Sequence, residues 1–204
     1  MIKPLILDIS SGNIVSLKNI ILKFSKEISI SSEDSQITNA THIFLPGVGS
    51  YNKVMENIEK KINIKLLKQQ LIENKTLFLG ICVGMQVLSD YGLENSKSQG
   101  LSLINGSVKK LSTKEILPHV GWNSINITKK TKLLDQIPDK SDFYFTHSYA
   151  YDLEEDNLEI SNTNYGTTFP SIINKSNIYG TQFHPEKSQS SGIKLIKNFL
   201  ELEK

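Results

Sequence analysis

The sequence predicts an α/β fold: a single domain whose central sheet is twisted and mostly parallel, with helices on both faces and added antiparallel hairpins. In the first half, short apolar runs alternate with segments whose apolar residues recur at helical spacing, which is typical of a parallel sheet with crossover helices. In the second half, β-forming segments are short and closely spaced, which is typical of antiparallel hairpins. Because no repeat or linker interrupts the pattern, one domain is expected over residues 1–204.

The elements of the first half follow from apolar spacing and turn residues. Residues 51–73 are predicted to form two helical pieces with a break near Asn63, and the apolar run 76–81 predicts a buried strand. A helix is expected to start at Val87 and Leu88. The earlier elements are a strand at 2–9, a turn at 10–13, a helix with an apolar face from Ile14 to Phe24, a strand at 27–30, and a strand at 41–45 that segment 46–49 is expected to end.

The second half is predicted to consist mainly of strands and to finish in a helix. The apolar positions between Ile193 and Leu200 have helical spacing and predict that last helix. The polar stretch 91–99 is expected to be a mobile loop near the functional site. Strands are predicted at 107–111, 122–128, 142–146, 158–162, 171–174 and 178–183.

The composition argues against several classes of function. A net charge of +2 gives no case for nucleic-acid binding, and no apolar stretch approaches the ~20 residues of a membrane helix. The single cysteine can form no disulfide within this sequence, so a reducing, cytoplasmic location is expected. All 23 basic residues are lysine. Since arginine supplies the bidentate clamp for phosphate, a phosphorylated substrate is expected to be held by a partner.

Segment 80–86 (GICVGMQ) is the most informative part of the sequence. Cys82 lies between a predicted strand and a helix, with Gly80 and Gly84 two residues to either side. This arrangement is that of a nucleophile elbow with sulfur in place of oxygen, in which the glycines permit a tight turn and close packing. The start of a helix favours a thiolate at that position. The alternative is that Cys82 is simply a small buried apolar residue, as most lone cysteines are.

A second motif, about a hundred residues downstream, favours the nucleophile. If His184 and Glu186 lie two apart on a strand, they face the same side, and the carboxylate can hold the imidazole in one tautomer. Pro185 between them fixes the backbone. Together with Cys82 they make a candidate Cys-His-Glu triad, the sulfur version of an arrangement recognised by the roles of its members. The alternative is a structural histidine beside a surface carboxylate.

These two motifs resemble those of the class I (triad) glutamine amidotransferases. Within that family the chain is most similar to the glutaminase subunits of imidazole glycerol phosphate synthases, and the similarity extends over nearly its whole length. Four further segments carry the resemblance: 46–50 (PGVGS), 118–123 (PHVGWN), 144–149 (YFTHSY) and 184–188 (HPEKS). The resemblance also implies a flavodoxin-like sheet.

The resemblance implies a role for each matching residue. Cys82, His184 and Glu186 would be catalytic, and the N–H groups of Val83 and Val48 would form the oxyanion hole, the latter after a peptide rotation. No metal or organic cofactor is implied. Residues implied to contact L-glutamine are Gly49, Gln86, Glu94 (for the α-ammonium), Ser148 and Tyr149. Residues implied to contact a partner subunit are Trp122, Asn123, Tyr144 and Lys187.

The implied partner is a (β/α)₈-barrel cyclase, with which the chain would form a heterodimer and to which it would channel ammonia for histidine synthesis. In the family, the first-strand aspartate is usually followed by an aromatic residue and then glycine. In segment 8–13 (DISSGN) that order is absent, so two enzymatic alternatives stay open. One is the subunit just described, and the other is a paralogue that supplies ammonia for amidination of a bacterial surface sugar. Non-enzymatic alternatives are a chaperone-like flavodoxin-fold protein with a reactive cysteine, or a scaffold without activity.

Overall fold

The structure is a computed structural model that describes residues 2–203, and it has the α/β architecture expected from the sequence. The helices are α1 (Ile14–Ile21), α2 (Asp34–Asn39), α3 (Tyr51–Lys61), α4 (Ile64–Ile72), α5 (Val83–Gln86) and α6 (Gln189–Leu200), with 3₁₀ turns at Lys132–Leu134 and Pro185–Lys187. The strands are β1 (Pro4–Leu7), β2 (Ser29–Ser31), β3 (His42–Gly47), β4 (Leu77–Cys82), β5 (Tyr91–Gly92), β6 (Ser98–Gln99), β7 (Gly106–Lys110), β8 (His119–Ser124), β9 (Asn126–Ile127), β10 (Asp142–His147), β11 (Tyr149–Leu153), β12 (Glu159–Asn164), β13 (Thr168–Lys175) and β14 (Ile178–Thr181).

A central eight-stranded sheet has the order β2-β1-β3-β4-β14-β13-β12-β9. The five strands from β2 to β14 are parallel, and β13, β12 and β9 continue the sheet in antiparallel fashion. A ribbon of β8 and β10 and a four-stranded sheet β11-β7-β5-β6 flank it. The late strand β14 lies beside β4, which brings the chain after residue 181 next to the end of the strand that carries Cys82.

Helix α4 illustrates how local sequence sets an element boundary. Asn63 follows α3, and its side-chain Oδ1 accepts the N–H of Leu66 at 3.2 Å. This is an N-cap, which satisfies one of the backbone donors left free at the start of a helix. The predicted break near Asn63 is therefore confirmed, with α3 ending at Lys61 and α4 beginning at Ile64.

Several predicted boundaries were wrong. Strand β3 does not stop before Pro46; it continues through Gly47, because pairing with β1 ends at Phe44 and the strand then has only β4 as neighbour. Segment 91–99, expected to be a loop, contains β5 and β6, which pair with each other. Helix α2 was not predicted. Among residues 2–203, no helix is long and apolar enough to cross a membrane.

Candidate active site

Cys82 lies at a sharp turn from β4 into α5. Its backbone has φ +56° and ψ −111°, a conformation that costs a residue with a side chain roughly 1–3 kcal/mol. A Cβ placed on Gly84 would overlap the carbonyl oxygen of Leu45, so only glycine lets α5 approach β3 this closely. The helix after the elbow begins at Val83 and ends at Gln86, so the prediction of a helix starting at Val87 was wrong.

The Cys82 side chain is only 3% exposed and has two polar neighbours. Nε2 of Gln182 donates to Sγ at 3.8 Å, and Sγ lies 3.9 Å from the carbonyl oxygen of Thr146. Gln182 is itself fully buried, and its Oε1 accepts from Nε2 of Gln86 at 3.1 Å. The amide of Gln182 is thereby oriented with its N–H toward the sulfur.

The side chains of His184 and Glu186 are paired, but not by strand alternation. Strand β14 ends at Thr181, and Glu186 lies in the 3₁₀ turn Pro185–Lys187. That turn brings the Oε1 carboxylate oxygen to 2.8 Å from Nδ1 of His184, with both side chains 1% exposed. The turn is held by Ser188, whose hydroxyl donates to the carbonyl of His184 at 2.6 Å. The predicted proximity therefore has a different structural cause from the one expected.

The electrostatics of His184 are set by its two ionisable neighbours. Burial lowers the pKa of the imidazole, but the adjacent Cys82 and the hydrogen-bonded Glu186 outweigh burial and raise that pKa to about 10. Its other nitrogen, Nε2, makes no well-formed hydrogen bond within residues 2–203. The imidazole is therefore held at one nitrogen by a carboxylate and is available for proton exchange at the other.

A cavity of about 190 Å³ lies in front of these side chains. Nine of the residues predicted to act on glutamine line it, whereas Glu186 lies behind His184 and does not. The lining residues are Val48, Gly49, Cys82, Val83, Gln86, Glu94, Pro118, Thr146, His147, Ser148, Tyr149 and His184. Among residues 2–203, no cluster of histidine, cysteine or carboxylate side chains is arranged to hold a metal ion.

The backbone N–H groups of the two predicted oxyanion-hole residues differ in their hydrogen bonding. Val83 is the first residue of α5, and the N–H groups in the first turn of a helix have no partner within the helix. The N–H of Val48 donates to Oγ of Ser11 at 3.0 Å, and the same hydroxyl donates to the carbonyl of Val48 at 2.6 Å. Val48 is thus held by Ser11 at both of its backbone polar groups.

The polar residues predicted to bind glutamine are anchored by the protein itself. Gln86 donates from Nε2 to the carbonyl of Tyr149 at 2.8 Å. Glu94 accepts the N–H of Tyr51 at 2.7 Å through Oε2, which places its carboxylate at the start of α3 and on the cavity wall. A carboxylate at that position is favoured by the partial positive charge of the helix end.

Three of the four residues predicted to face a partner are brought together on the β8–β10 ribbon and the turn after His184. Trp122 is 49% exposed and lies opposite Tyr144 in the ladder, with ring centroids 6.1 Å apart. Nζ of Lys187 lies 5.6 Å from the Tyr144 ring centroid. Asn123 follows Trp122 on β8, but its side chain points to the opposite side of the strand, where Nδ2 lies 3.3 Å from Nε2 of the buried His119. We refer to Trp122, Tyr144 and Lys187 as the docking face.

Three residues near the cavity were missed by the sequence interpretation. Gln182 belongs to the segment that contains His184, and its position two residues before that histidine was an available signal. His147 belongs to the YFTHSY segment but received no role. Ser11 carried no usable signal, because its contact with Val48 joins positions 37 residues apart that only the folded chain brings together.

Comparison with known proteins gives consistent results. The family model "Glutamine amidotransferase class-I" matches residues 5–202. The "Imidazole glycerol phosphate synthase subunit HisH" of Methanocaldococcus jannaschii is 41% identical over 197 residues, covering 97% of this chain and 98% of the relative. The proteins of the same name from Pelagibacter ubique and Lactococcus lactis are 38% and 40% identical, and each comparison covers at least 97% of this chain and 98% of the relative.

Solved structures show the same fold at low sequence identity. A crystal structure described as a glutamine amidotransferase superposes with a TM-score of 0.76 at 13% identity, covering 97% of each chain. The structure of PurLQS from Thermotoga maritima superposes with a TM-score of 0.73 at 16% identity, covering 98% of this chain and 97% of that one. Both therefore establish the architecture and not the reaction.

Proposed function

Because this chain belongs to the class-I glutamine amidotransferase family, we propose that it is the glutaminase subunit of an imidazole glycerol phosphate synthase and acts in histidine biosynthesis. The single observation that carries the reaction is that Cys82 and His184 line one cavity, with the imidazole held from behind by the Glu186 carboxylate at 2.8 Å. The relatives named as subunits of that synthase, each matched over nearly its full length, support the pathway.

The reaction proceeds in two stages. The Cys82 thiolate attacks the side-chain carboxamide carbon of glutamine and forms a tetrahedral intermediate. His184 gives its Nε2 proton to the departing nitrogen, the C–N bond breaks, and ammonia leaves behind a glutamyl thioester. His184 then takes a proton from water, the hydroxide adds to the thioester carbonyl, and cleavage of the C–S bond releases glutamate. Glu186 holds the imidazole in the orientation that both transfers need.

The negative charge of each intermediate requires two donors. The N–H of Val83 is one, and the N–H of Val48 is the other once it leaves Ser11. While Ser11 keeps that N–H, the hole has a single donor, so glutaminase activity without a partner is low. Removing one donor from such a site costs about 10²–10³ in rate, which is the scale of the activation that partner binding supplies.

The partner is a HisF-like (β/α)₈-barrel cyclase, which binds the docking face, receives the ammonia and holds the phosphorylated substrate. Trp122 is suited to anchor such an interface, because tryptophan supplies a large rigid contact area. The docking face is physically continuous with the catalytic histidine, since the N–H of His184 donates to the carbonyl of Tyr144 at 2.9 Å. The heterodimer works in the cytoplasm, in keeping with a free thiol at Cys82.

The test of the reaction is intact mass after exposure to a diazo-ketone analogue of glutamine. The wild-type chain with its partner is expected to gain one adduct, and the Cys82→Ser variant none. An adduct that survives this substitution would remove Cys82 from the mechanism. To test the pathway, the reconstituted complex is given either the aminoimidazole nucleotide precursor or an amidinated-sugar precursor. Glutamine turnover that rises only with the sugar precursor would overturn the assignment to histidine biosynthesis.

A further inference from the structure

Two buried histidines that the proposed reaction does not use are hydrogen-bonded to each other beside the cavity. Nδ1 of His119 lies 3.2 Å from Nε2 of His147, and both side chains are almost fully buried. His147 lines the cavity, whereas His119 does not and instead stacks on Tyr165 and Phe145 with centroid distances of 4.0 and 4.9 Å. His119 therefore touches neither the proposed substrate position nor solvent, yet it is linked to a residue of the cavity wall.

Asn123, His119, His147 and the Tyr149 carbonyl form a chain of hydrogen bonds, and we call the Tyr149 carbonyl its inner end and Asn123 its outer end. The position of each ring proton follows first from the partners at the inner end. Nδ1 of His147 lies 2.9 Å from the carbonyl oxygen of Tyr149, and a carbonyl oxygen can only accept. That nitrogen must therefore carry the proton, so in a neutral ring Nε2 is bare. The bare Nε2 accepts from His119, which places the proton of His119 on Nδ1 and leaves its own Nε2 as an acceptor.

The outer end gives the same assignment independently. The amide of Asn123 is fixed by two backbone groups: Nδ2 donates to the carbonyl of Asn164 at 3.0 Å, and Oδ1 accepts the N–H of Ser124 at 2.8 Å. Nδ2 therefore faces Nε2 of His119 as a donor, at 3.3 Å. Because backbone groups at both ends dictate the same polarity, every hydrogen bond runs in one direction, from Asn123 through His119 and His147 to the Tyr149 carbonyl.

The carbonyl at the inner end is saturated. It accepts from His147 and also from Nε2 of Gln86 at 2.8 Å, so both of its lone pairs are occupied. Burial lowers the pKa of His119 to about 4 and that of His147 to about 3, which keeps both rings neutral with one proton each. Segment 147–149, which forms one wall of the cavity, is thereby held in a single conformation.

We infer that Asn123, His119 and His147 form an imidazole relay, a one-way hydrogen-bond chain that fixes the Tyr149 carbonyl and so positions the wall of the glutamine cavity. His119 is then a positioning residue for glutamine binding. Asn123, which follows Trp122 on β8, is the outer end of the chain, so the relay joins the strand that carries Trp122 to the cavity wall. This inference rests on the proposed function for the identity of the ligand, but the relay itself does not depend on any activity.

The relay is tested first by NMR on the full chain labelled with ¹⁵N-histidine. The chain contains four histidines, so few signals have to be assigned. His119 and His147 are expected to be neutral with the proton on Nδ1, and a scalar coupling between His119 Nδ1 and His147 Nε2 is expected across their hydrogen bond. Absence of that coupling, or a proton on Nε2 of either ring, would overturn the relay and leave the proposed glutaminase untouched.

The positioning role is tested by two substitutions at one site, assayed in complex with the cyclase. His119→Phe keeps the stacking but loses both hydrogen bonds, and it is expected to raise KM for glutamine about three- to tenfold, with kcat within about twofold. His119→Asn can still donate to His147 from the position of Nδ1. Its KM for glutamine is therefore expected to lie much closer to the wild-type value than that of His119→Phe. An unchanged KM in His119→Phe, or equal KM values in the two variants, would contradict the proposal. If His119→Phe does not fold, the NMR result decides.

Discussion

The hydroxyl of Ser11 binds both backbone polar groups of Val48, accepting its N–H at 3.0 Å and donating to its carbonyl at 2.6 Å. One side chain from the loop after β1 thus sets the orientation of the two peptide groups that flank Val48, at the point where the loop after β3 enters the cavity. Since the proposed oxyanion hole needs the Val48 N–H, Ser11 competes with the transition state for the same donor.

Removing that hydroxyl is expected to raise glutaminase activity in the absence of the partner. In Ser11→Ala the Val48 N–H loses its competing acceptor, and the loss of about 0.5–1.5 kcal/mol of hydrogen bonding corresponds to about three- to tenfold in turnover. Activity in the complex is expected to change little, because the N–H has already left Ser11 there. The control is Ser10→Ala, which removes a neighbouring hydroxyl that contacts Lys61 instead. Equal partner-free rates in wild type and Ser11→Ala would rule out this competition.

The backbone strain at Cys82 is expected to appear as a difference in stability between two substitutions at that position. Cys82→Ala keeps a Cβ at φ +56°, whereas Cys82→Gly relieves the conformational cost. The free energy of unfolding should therefore be higher for Cys82→Gly by about 1 kcal/mol, the reverse of the usual order of alanine and glycine. Urea denaturation of both variants measures the difference, and a more stable alanine variant would show that the elbow is not strained.

His184 is expected to remain protonated well above neutral pH. With its pKa raised to about 10, the stabilisation from the charged ring is fully present below its ordinary pKa of about 6.5 and is lost as the pH rises through about 10. An NMR titration of the histidine rings follows this directly. Replacing Cys82 by alanine removes the first of the two interactions that raise the pKa, so the His184 pKa should fall. A titration that is unchanged by the substitution would mean that the two side chains do not interact.

Acid is expected to destabilise the protein through the imidazole relay. Burial holds the pKa of His119 near 4 and that of His147 near 3, so below about pH 6.5 the unfolded chain binds more protons than the folded one. Stability should therefore fall with decreasing pH by roughly 1.4 kcal/mol per pH unit for each ring. Thermal or urea unfolding between pH 7 and pH 4.5 measures the slope. The free energy of unfolding of His119→Asn should depend less steeply on pH. An identical pH dependence would show that His119 does not cause the acid sensitivity.

Trp122 is expected to matter for association and not for folding. Because its side chain is half exposed on the docking face, Trp122→Ala should change the free energy of unfolding by less than about 1 kcal/mol. Affinity for the cyclase should fall by about 2 kcal/mol, or roughly thirtyfold. The control is Ile72→Ala, an exposed apolar residue at the end of α4, near the opposite end of β4 from Cys82. Equal effects of the two variants on affinity would show that the cyclase does not bind at the docking face.

The parts of the molecule that could be predicted depend on short stretches of sequence. The elbow at Cys82 is specified by glycines two residues away, and the break at Asn63 by a capping side chain, so both are legible locally. The proximity of His184 and Glu186 was predicted for the wrong reason, because a 3₁₀ turn and strand alternation can both bring residues two apart together. Sequence spacing alone cannot distinguish the two.

The parts that could not be predicted depend on contacts between distant segments. Ser11 meets Val48, and His119 meets His147, only because β1 lies beside β3 and β8 pairs with β10. The direction of the relay is fixed by backbone carbonyls, which every sequence contains and which therefore carry no signal. Continuation of β3 through Pro46 likewise depends on where its neighbour stops.

The chain carries a built-in optical reporter of complex formation. Its one tryptophan is Trp122, which is half in water and stacked edge-to-face near Tyr144 on the surface proposed to meet the cyclase. Indole emission moves to shorter wavelength when water is removed from around the ring. Mixing the unlabelled chain with a tryptophan-free cyclase should therefore let association be followed in real time, with the signal arising from a single known position.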